Sequence, residues 1–142
     1  MTASPRPYVR CAILCERALI ERDGTPSLIR VTDQVFVAPR ALDQPPAQHR
    51  IRLTLLLSLI AGKVAQGVHP LFMHAERPSG ERFAEQRPSI EFSANHPAET
   101  VSLFMDVDVS VSDIGLYWFC VGIDEPDREL VRVPLHLVPM IR

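Results

Sequence analysis

Residues Thr100–Val111 alternate over their whole length. Val101, Leu103, Met105, Val107, Val109 and Val111 are apolar; between them lie Thr100, Ser102, Asp106, Asp108 and Ser110, with Phe104 as the exception. Successive side chains of a strand point to opposite faces, so this row specifies a sheet with one dry and one wet face. A helix would spread the same residues around its whole circumference. The pattern recurs in Ile51, Leu53, Leu55, Leu57 and Leu59, in Ile90, Phe92 and Ala94 of Pro88–Ala94, and in Val131, Val133, Leu135 and Leu137 of Glu129–Val138. A helix through Leu53, Leu56, Leu57 and Ile60 is the competing reading of the second run, but its period-two match is longer. Gly67–Glu76 reads as a further strand ending at the turn sequence Pro78-Ser79-Gly80. Ser27–Val37 alternates through Ile29, Val31, Val35 and Val37 and is interrupted at Asp33, which predicts a bulge or bend near Asp33-Gln34.

Tyr8–Arg22 is ambiguous. Val9, Cys11, Ile13 and Cys15 fit a strand; Cys11, Leu14, Cys15, Ala18 and Leu19 fit a helix almost as well. The surrounding strands favour one strand or two short ones. Arg22–Pro26, Ala38–Gln48, Ala61–Gln66, Arg77–Arg87 and Asp124–Arg128 are the expected loops. Pro134 cannot donate to a ladder, which predicts that Glu129–Val138 is an edge strand or carries a bulge. Together these runs predict one domain over residues 1–142. The expected fold is an all-β antiparallel sandwich, immunoglobulin-like or similar, of about 7–9 strands.

Asp113-Ile114-Gly115-Leu116-Tyr117 has the D-x-G-x-Y form with which immunoglobulin-like sandwiches enter a central strand, the Tyr hydroxyl bonding back to nearby backbone. Asp113, Gly115 and Tyr117 are therefore read as a structural corner. The strand that follows is apolar on both sides, with Leu116, Trp118 and Cys120 on one and Tyr117, Phe119, Val121 and Ile123 on the other. A central strand of a two-layer sandwich ordinarily has one wet face. Leu116 and Trp118 are accordingly the candidate interface, to be covered either by a partner or by the Pro-rich Ala38–Gln48 loop.

The chain resembles a family of uncharacterised bacterial proteins, a domain of unknown function with an all-β fold. The residues that carry the resemblance are Cys15-Glu16-Arg17-Ala18, Ser27-Leu28-Ile29, Gly115-x-Tyr117-x-Phe119-x-Val121 and Arg132-Val133-Pro134-Leu135. It implies fold only, since the family has no assigned activity from which a functional residue could be carried over.

Chemistry is sparse. The formal net charge is −2 and the basic residues, nearly all Arg, form no run, so neither nucleic acid nor an anionic membrane is an expected partner. The three cysteines, Cys11, Cys15 and Cys120, suit no disulfide framework and read as buried thiols in a reducing, cytoplasmic compartment. No signal peptide or membrane-length apolar run is read in the sequence. His49, His69, His74, His96 and His136 show no metal-ligand spacing, and His69 and His74 would point to opposite faces of one strand. Asp106, Asp108 and Asp113, with Asp124, Glu125 and Asp127, suggest calcium at loop ends, but the first two sit mid-strand and read better as solvated charges. No G-x-S-x-G is present, Gly62-Lys63-Val64 lacks the rest of a phosphate-binding loop, and a Cys120–His136 pairing is the only nucleophile arrangement that neighbouring C-terminal strands suggest. The expectation is no catalytic residue, no cofactor and no metal. The leading functional reading is a non-catalytic protein-interaction or assembly module, possible as a homo-oligomer. The alternative is a carbohydrate- or ligand-binding module with Trp118 or Tyr8 as a stacking platform.

Overall fold

A computed structural model describes residues 7–38, 48–62, 66–93 and 96–140. It is all-β, as the alternation requires. The ten strands are β1 (Tyr8–Ile20), β2 (Pro26–Val31), β3 (Gln34–Val37), β4 (His49–Ile60), β5 (Gly67–Glu76), β6 (Arg82–Gln86), β7 (Ser89–Phe92), β8 (Thr100–Val111), β9 (Gly115–Ile123) and β10 (Glu129–Pro139). One sheet has the order β2-β1-β4-β8; the other has β3-β10-β9-β5-β6, with β7 also paired to β5. Consecutive strands β4 and β5, and β8 and β9, lie in opposite sheets, so the chain crosses repeatedly between the two layers. All pairs are antiparallel except β3 with β10. No helix among the described residues is long and apolar enough to cross a membrane.

The alternating rows become the core. Ile51, Leu53, Leu55, Leu57 and Leu59 of β4 meet Met105, Val107, Val109 and Val111 of β8 and the inward residues of β5, β9 and β10 in one cluster. The β4–β8 register is continuous from His49↔Val111 to Ile60↔Thr100. On their outer face, Ser58 is the sole buried polar residue among the described ones, and its Oγ lies 3.0 Å from Ser102 Oγ. That contact lets a hydroxyl sit in the middle of a sheet without losing hydrogen bonding.

Several expectations are corrected or refined. Among the described residues the strands number ten because Ser27–Val37 divides at Thr32-Asp33, with β2 ending in the first sheet and β3 beginning in the second, and because β6 is added. The break at Asp33 is therefore a crossing between layers, and Val31, read as inward, is 63% exposed beside it. Tyr8–Ile20 is one strand serving two neighbours, β4 up to Cys15 and β2 from Cys15 onward. The expected loop Arg77–Arg87 contains β6, whose single large apolar residue, Phe83, leaves no period to detect; the strand is paired on one side only and mostly exposed. Of the two expectations for β10, an edge or a bulge, the strand lies between β9 and β3 and carries an irregularity of register between Glu129 and Val131. Pro134 is tolerated because β3 runs beside β10 only from His136 onward. Cys11 is half-buried rather than buried. Residues 39–47 of the Pro-rich loop, residues 63–65 and Ala94 lie outside the described residues.

Candidate functional site

The Tyr117 hydroxyl donates to the Asp113 carbonyl at 2.6 Å, and the ring, 1% exposed, packs edge-on to Phe83 with centroids 6.2 Å apart. Gly115 has φ +138°, a conformation that favours glycine, and a Cβ there would make a tight contact of 3.0 Å with Pro78 Cγ. The group that receives the Tyr hydroxyl is the Asp113 carbonyl oxygen, a backbone atom.

From this corner β9 runs through the middle of its sheet, between β10 and β5. Its inward residues Tyr117, Phe119, Val121 and Ile123 belong to the core. Its outward residues are Leu116, 36% exposed, Trp118, half-buried, and Cys120, buried. The cover of this second face comes from the two flanking strands. Arg132 lies over the Trp118 ring at 5.6 Å, Pro134 and Glu76 are the cross-strand neighbours of Trp118, and His74 and Arg132 are those of Cys120. The Trp118 part of the candidate interface thus faces its own chain.

That arrangement concentrates polar chemistry at one point. His74 and Glu76 are two residues apart on β5 and so share its outer face. His74 Nε2 lies 3.3 Å from Glu76 Oε1, and the ligand-capable atoms of His74, Glu76 and Cys120 all lie within 4.8 Å of one another. Arg132 donates to Glu129 Oε1 at 2.7 Å and approaches Glu76 Oε2 at 3.8 Å. A cavity of about 110 Å³ opens above them, bounded also by Phe72 and Pro126. Burial pushes the Cys120 thiol up to about 11, the Glu76 carboxylate adds to that rise, and Arg132 opposes it. At neutral pH the group is a thiol and a poor nucleophile. The Cys120–His136 pairing does not occur: the β9–β10 register sets Cys120 against Arg132 and His136 against Leu116. The sequence reading missed His74. Its signal was the row Phe72, His74, Glu76 on the wet side of β5.

The remaining sequence candidates do not converge. His69 and His74 do lie on opposite faces of β5. His69 Nδ1 is 2.9 Å from Asp124 Oδ1 and its ring meets Phe92 edge-on. Asp108 accepts two hydrogen bonds from Arg50, at 2.9 and 2.8 Å, which hold its carboxyl below the usual carboxylate range. A carboxylate so occupied is a poor start for a calcium site.

A second feature lies on the other flank of the sandwich. β1 pairs with β4 only from Tyr8↔Ile60 to Cys15↔Thr54 and then turns to β2. From Leu53 to His49, that edge of β4 has no described strand beside it. β3 pairs with β10 along one edge, and its residues Gln34–Phe36 line the same space. Between them lies a groove of about 460 Å³ lined by residues of both strands with Glu16, Arg30, Val31 and Thr32. Val31 and Phe36, 63% and 60% exposed, stand at its margin.

The model of a family of unknown function, DUF6941, matches residues 10–138, and the chain belongs to that family. No curated protein matches the sequence. The family membership agrees with the resemblance read from the sequence and, like it, brings no functional residue.

Proposed function

We propose that this chain is a non-catalytic protein-interaction module that receives an extended segment of another protein along the open edge of β4. The observation that carries this reading is the departure of β1 from β4 at Cys15. It leaves the edge at residues 49–53 without a described neighbour, in a groove large enough for several side chains. A β-strand edge presents N–H and C=O groups at every second residue, and strand addition satisfies them while pockets beside the edge select side chains. Val31 and Phe36 offer apolar contact to the incoming segment. The charges of Arg30, Arg50 and Arg52 are largely answered by Glu16 and Asp108, so the segment expected is one with apolar residues at alternate positions rather than a strongly acidic one. A reducing, cytoplasmic setting fits the three unpaired thiols.

The test is selection of linear dodecapeptides from a displayed random library against the whole protein, followed by titration calorimetry and amide hydrogen exchange. Selected peptides should bind in the micromolar range typical of small, transient interfaces. They should slow exchange of amides at residues 49–53 and lose at least about tenfold in affinity on Val31→Ala/Phe36→Ala, a loss of about 1.4 kcal/mol. Absence of enrichment, or binders indifferent to both changes that leave 49–53 unprotected, would overturn the reading.

A further inference from the structure

We propose that His74, Glu76 and Cys120 form a divalent-metal site, selective for zinc, on the outer face of the β5–β9 pair, with one coordination position left open. The site goes beyond the β4-edge reading and stands without it, since the two lie on different strands and faces.

The spacing is set by the sheet. His74 and Glu76 are side by side on one face of β5 because they are two residues apart, and the register His74↔Cys120 brings the thiol across from the imidazole. Three donors of different chemistry thereby converge within 4.8 Å. Zinc bonds nitrogen and carboxylate oxygen at about 2.0–2.2 Å and sulfur at about 2.3 Å, so donor atoms around a tetrahedral ion stand roughly 3.3–3.8 Å apart. The His74 Nε2–Glu76 Oε1 separation of 3.3 Å already matches one edge of that tetrahedron, and modest side-chain rotation closes the others.

The surroundings suit an ion. The His74 and Glu76 side chains are 16% and 17% exposed and Cys120 is 2% exposed, so the donors are held by neighbours before any ion arrives. Arg132 is anchored by Glu129 at 2.7 Å and approaches Glu76 through Oε2, at 3.8 Å, while Oε1 is the oxygen turned to His74. The thiol and imidazole select a borderline-soft ion over calcium or magnesium, which take oxygen ligands. Three protein ligands leave the fourth position for water or an exogenous donor, and the cavity above has room for it.

The experiment uses the full chain, kept reduced and stripped of metal with a chelator. Cobalt is added as a spectroscopic probe and zinc as competitor. The expected result is a cobalt–thiolate charge-transfer band, with visible bands of a tetrahedral ion, that saturates at one equivalent and is displaced by zinc. Cys120→Ser should abolish the charge-transfer band, while Cys11→Ser and Cys15→Ser keep it. His74→Gln and Glu76→Gln, changes on a half-buried outer face that leave the core intact, should each weaken zinc binding by at least about tenfold with an unchanged circular dichroism spectrum. A wild-type chain that gives no band, or a band that survives Cys120→Ser or is indifferent to both His74→Gln and Glu76→Gln, would overturn the proposal.

Discussion

Tyr117→Phe removes one oxygen atom and tests the corner directly. The ring and its edge contact with Phe83 remain; what is lost is the hydroxyl, which donates to the Asp113 carbonyl at 2.6 Å and also meets the Arg77 side chain. A net intramolecular hydrogen bond contributes about 0.5–1.5 kcal/mol, and leaving a buried partner unsatisfied costs about 1–3 kcal/mol. Asp113 is exposed, so water can take over its carbonyl, which keeps the loss near the first range; the expected destabilisation is about 1–1.5 kcal/mol. For a chain of this length that lowers Tm by roughly 3–5 °C, read by circular dichroism and checked by urea titration at constant m-value. Tyr117→Ala, which also empties the core of a ring, should cost about 3–5 kcal/mol. Asp113→Ala keeps the carbonyl and should stay within about 0.5 kcal/mol of wild type. Burial pushes the Tyr117 hydroxyl above its ordinary value. A raised folded-state value means stability that is fully present below the unfolded value, about 10, and lost as pH rises through the folded one. The gap between wild type and Tyr117→Phe should therefore hold through neutral pH and change only at the alkaline end. If Tyr117→Phe melts within about 1 °C of wild type, or Asp113→Ala is the more damaging change, the hydroxyl-to-carbonyl bond does not secure the corner.

Three further outcomes follow from the same geometry. Gly115→Ala places a Cβ 3.0 Å from Pro78 Cγ at φ +138° and should lose about 1–3 kcal/mol, whereas Gly80→Ala, with φ +91° but nothing within 4 Å, should lose less; equal losses in denaturant titration would contradict the packing account. In metal-stripped native protein, Cys120, raised to about 11, should react with iodoacetamide at least about 100-fold more slowly than an ordinary thiol near 8.5, as followed by mass spectrometry; labelling at the rate of the unfolded chain would refute this. Arg50 holds Asp108 below the usual range, so its contribution is present above the unfolded value, about 3.9, and disappears as pH falls through the lower folded one. The Tm gap to Asp108→Asn should close in acid and narrow with salt, and a gap constant to about pH 2 would show that the pair contributes nothing.

The sheet faces were legible because alternation is a local property: Thr100–Val111 and Ile51–Leu59 announce their dry sides without any knowledge of partners. β6 was illegible for the converse reason, since a strand paired on one edge and exposed elsewhere has no apolar row to display. The His74–Glu76–Cys120 cluster was hidden differently. Its members are separated by more than forty residues between β5 and β9, and no spacing rule along the chain can bring them together. One error had a remedy in the sequence. Centring the β9–β10 hairpin on Pro126, in the middle of the expected turn, places Cys120 opposite Arg132 and Trp118 opposite Pro134, as observed. Counting from the turn would have excluded His136 as a partner of Cys120.

The two-sided apolar character of Leu116–Ile123 asked what covers its second face. The answer lies in the flanking strands. Arg132, with its long stem, and the row His74 and Glu76 lie beside Trp118 and Cys120, as long polar side chains do when they shield apolar surface with their stems. Among the described residues, these side chains are what lie over the outer side of this central strand. What it then carries is a buried thiol surrounded by polar groups, which is a place for an ion more than for a protein. An edge without a described neighbour leaves the opposite signature. Where β1 departs from β4, the residues Arg50–Leu53 alternate like any half-buried strand, because side-chain pattern reports on faces and is blind to edges. The feature proposed to recruit a partner is thus an edge with no described strand beside it, which can be seen only once the register of β1 with both β2 and β4 is known.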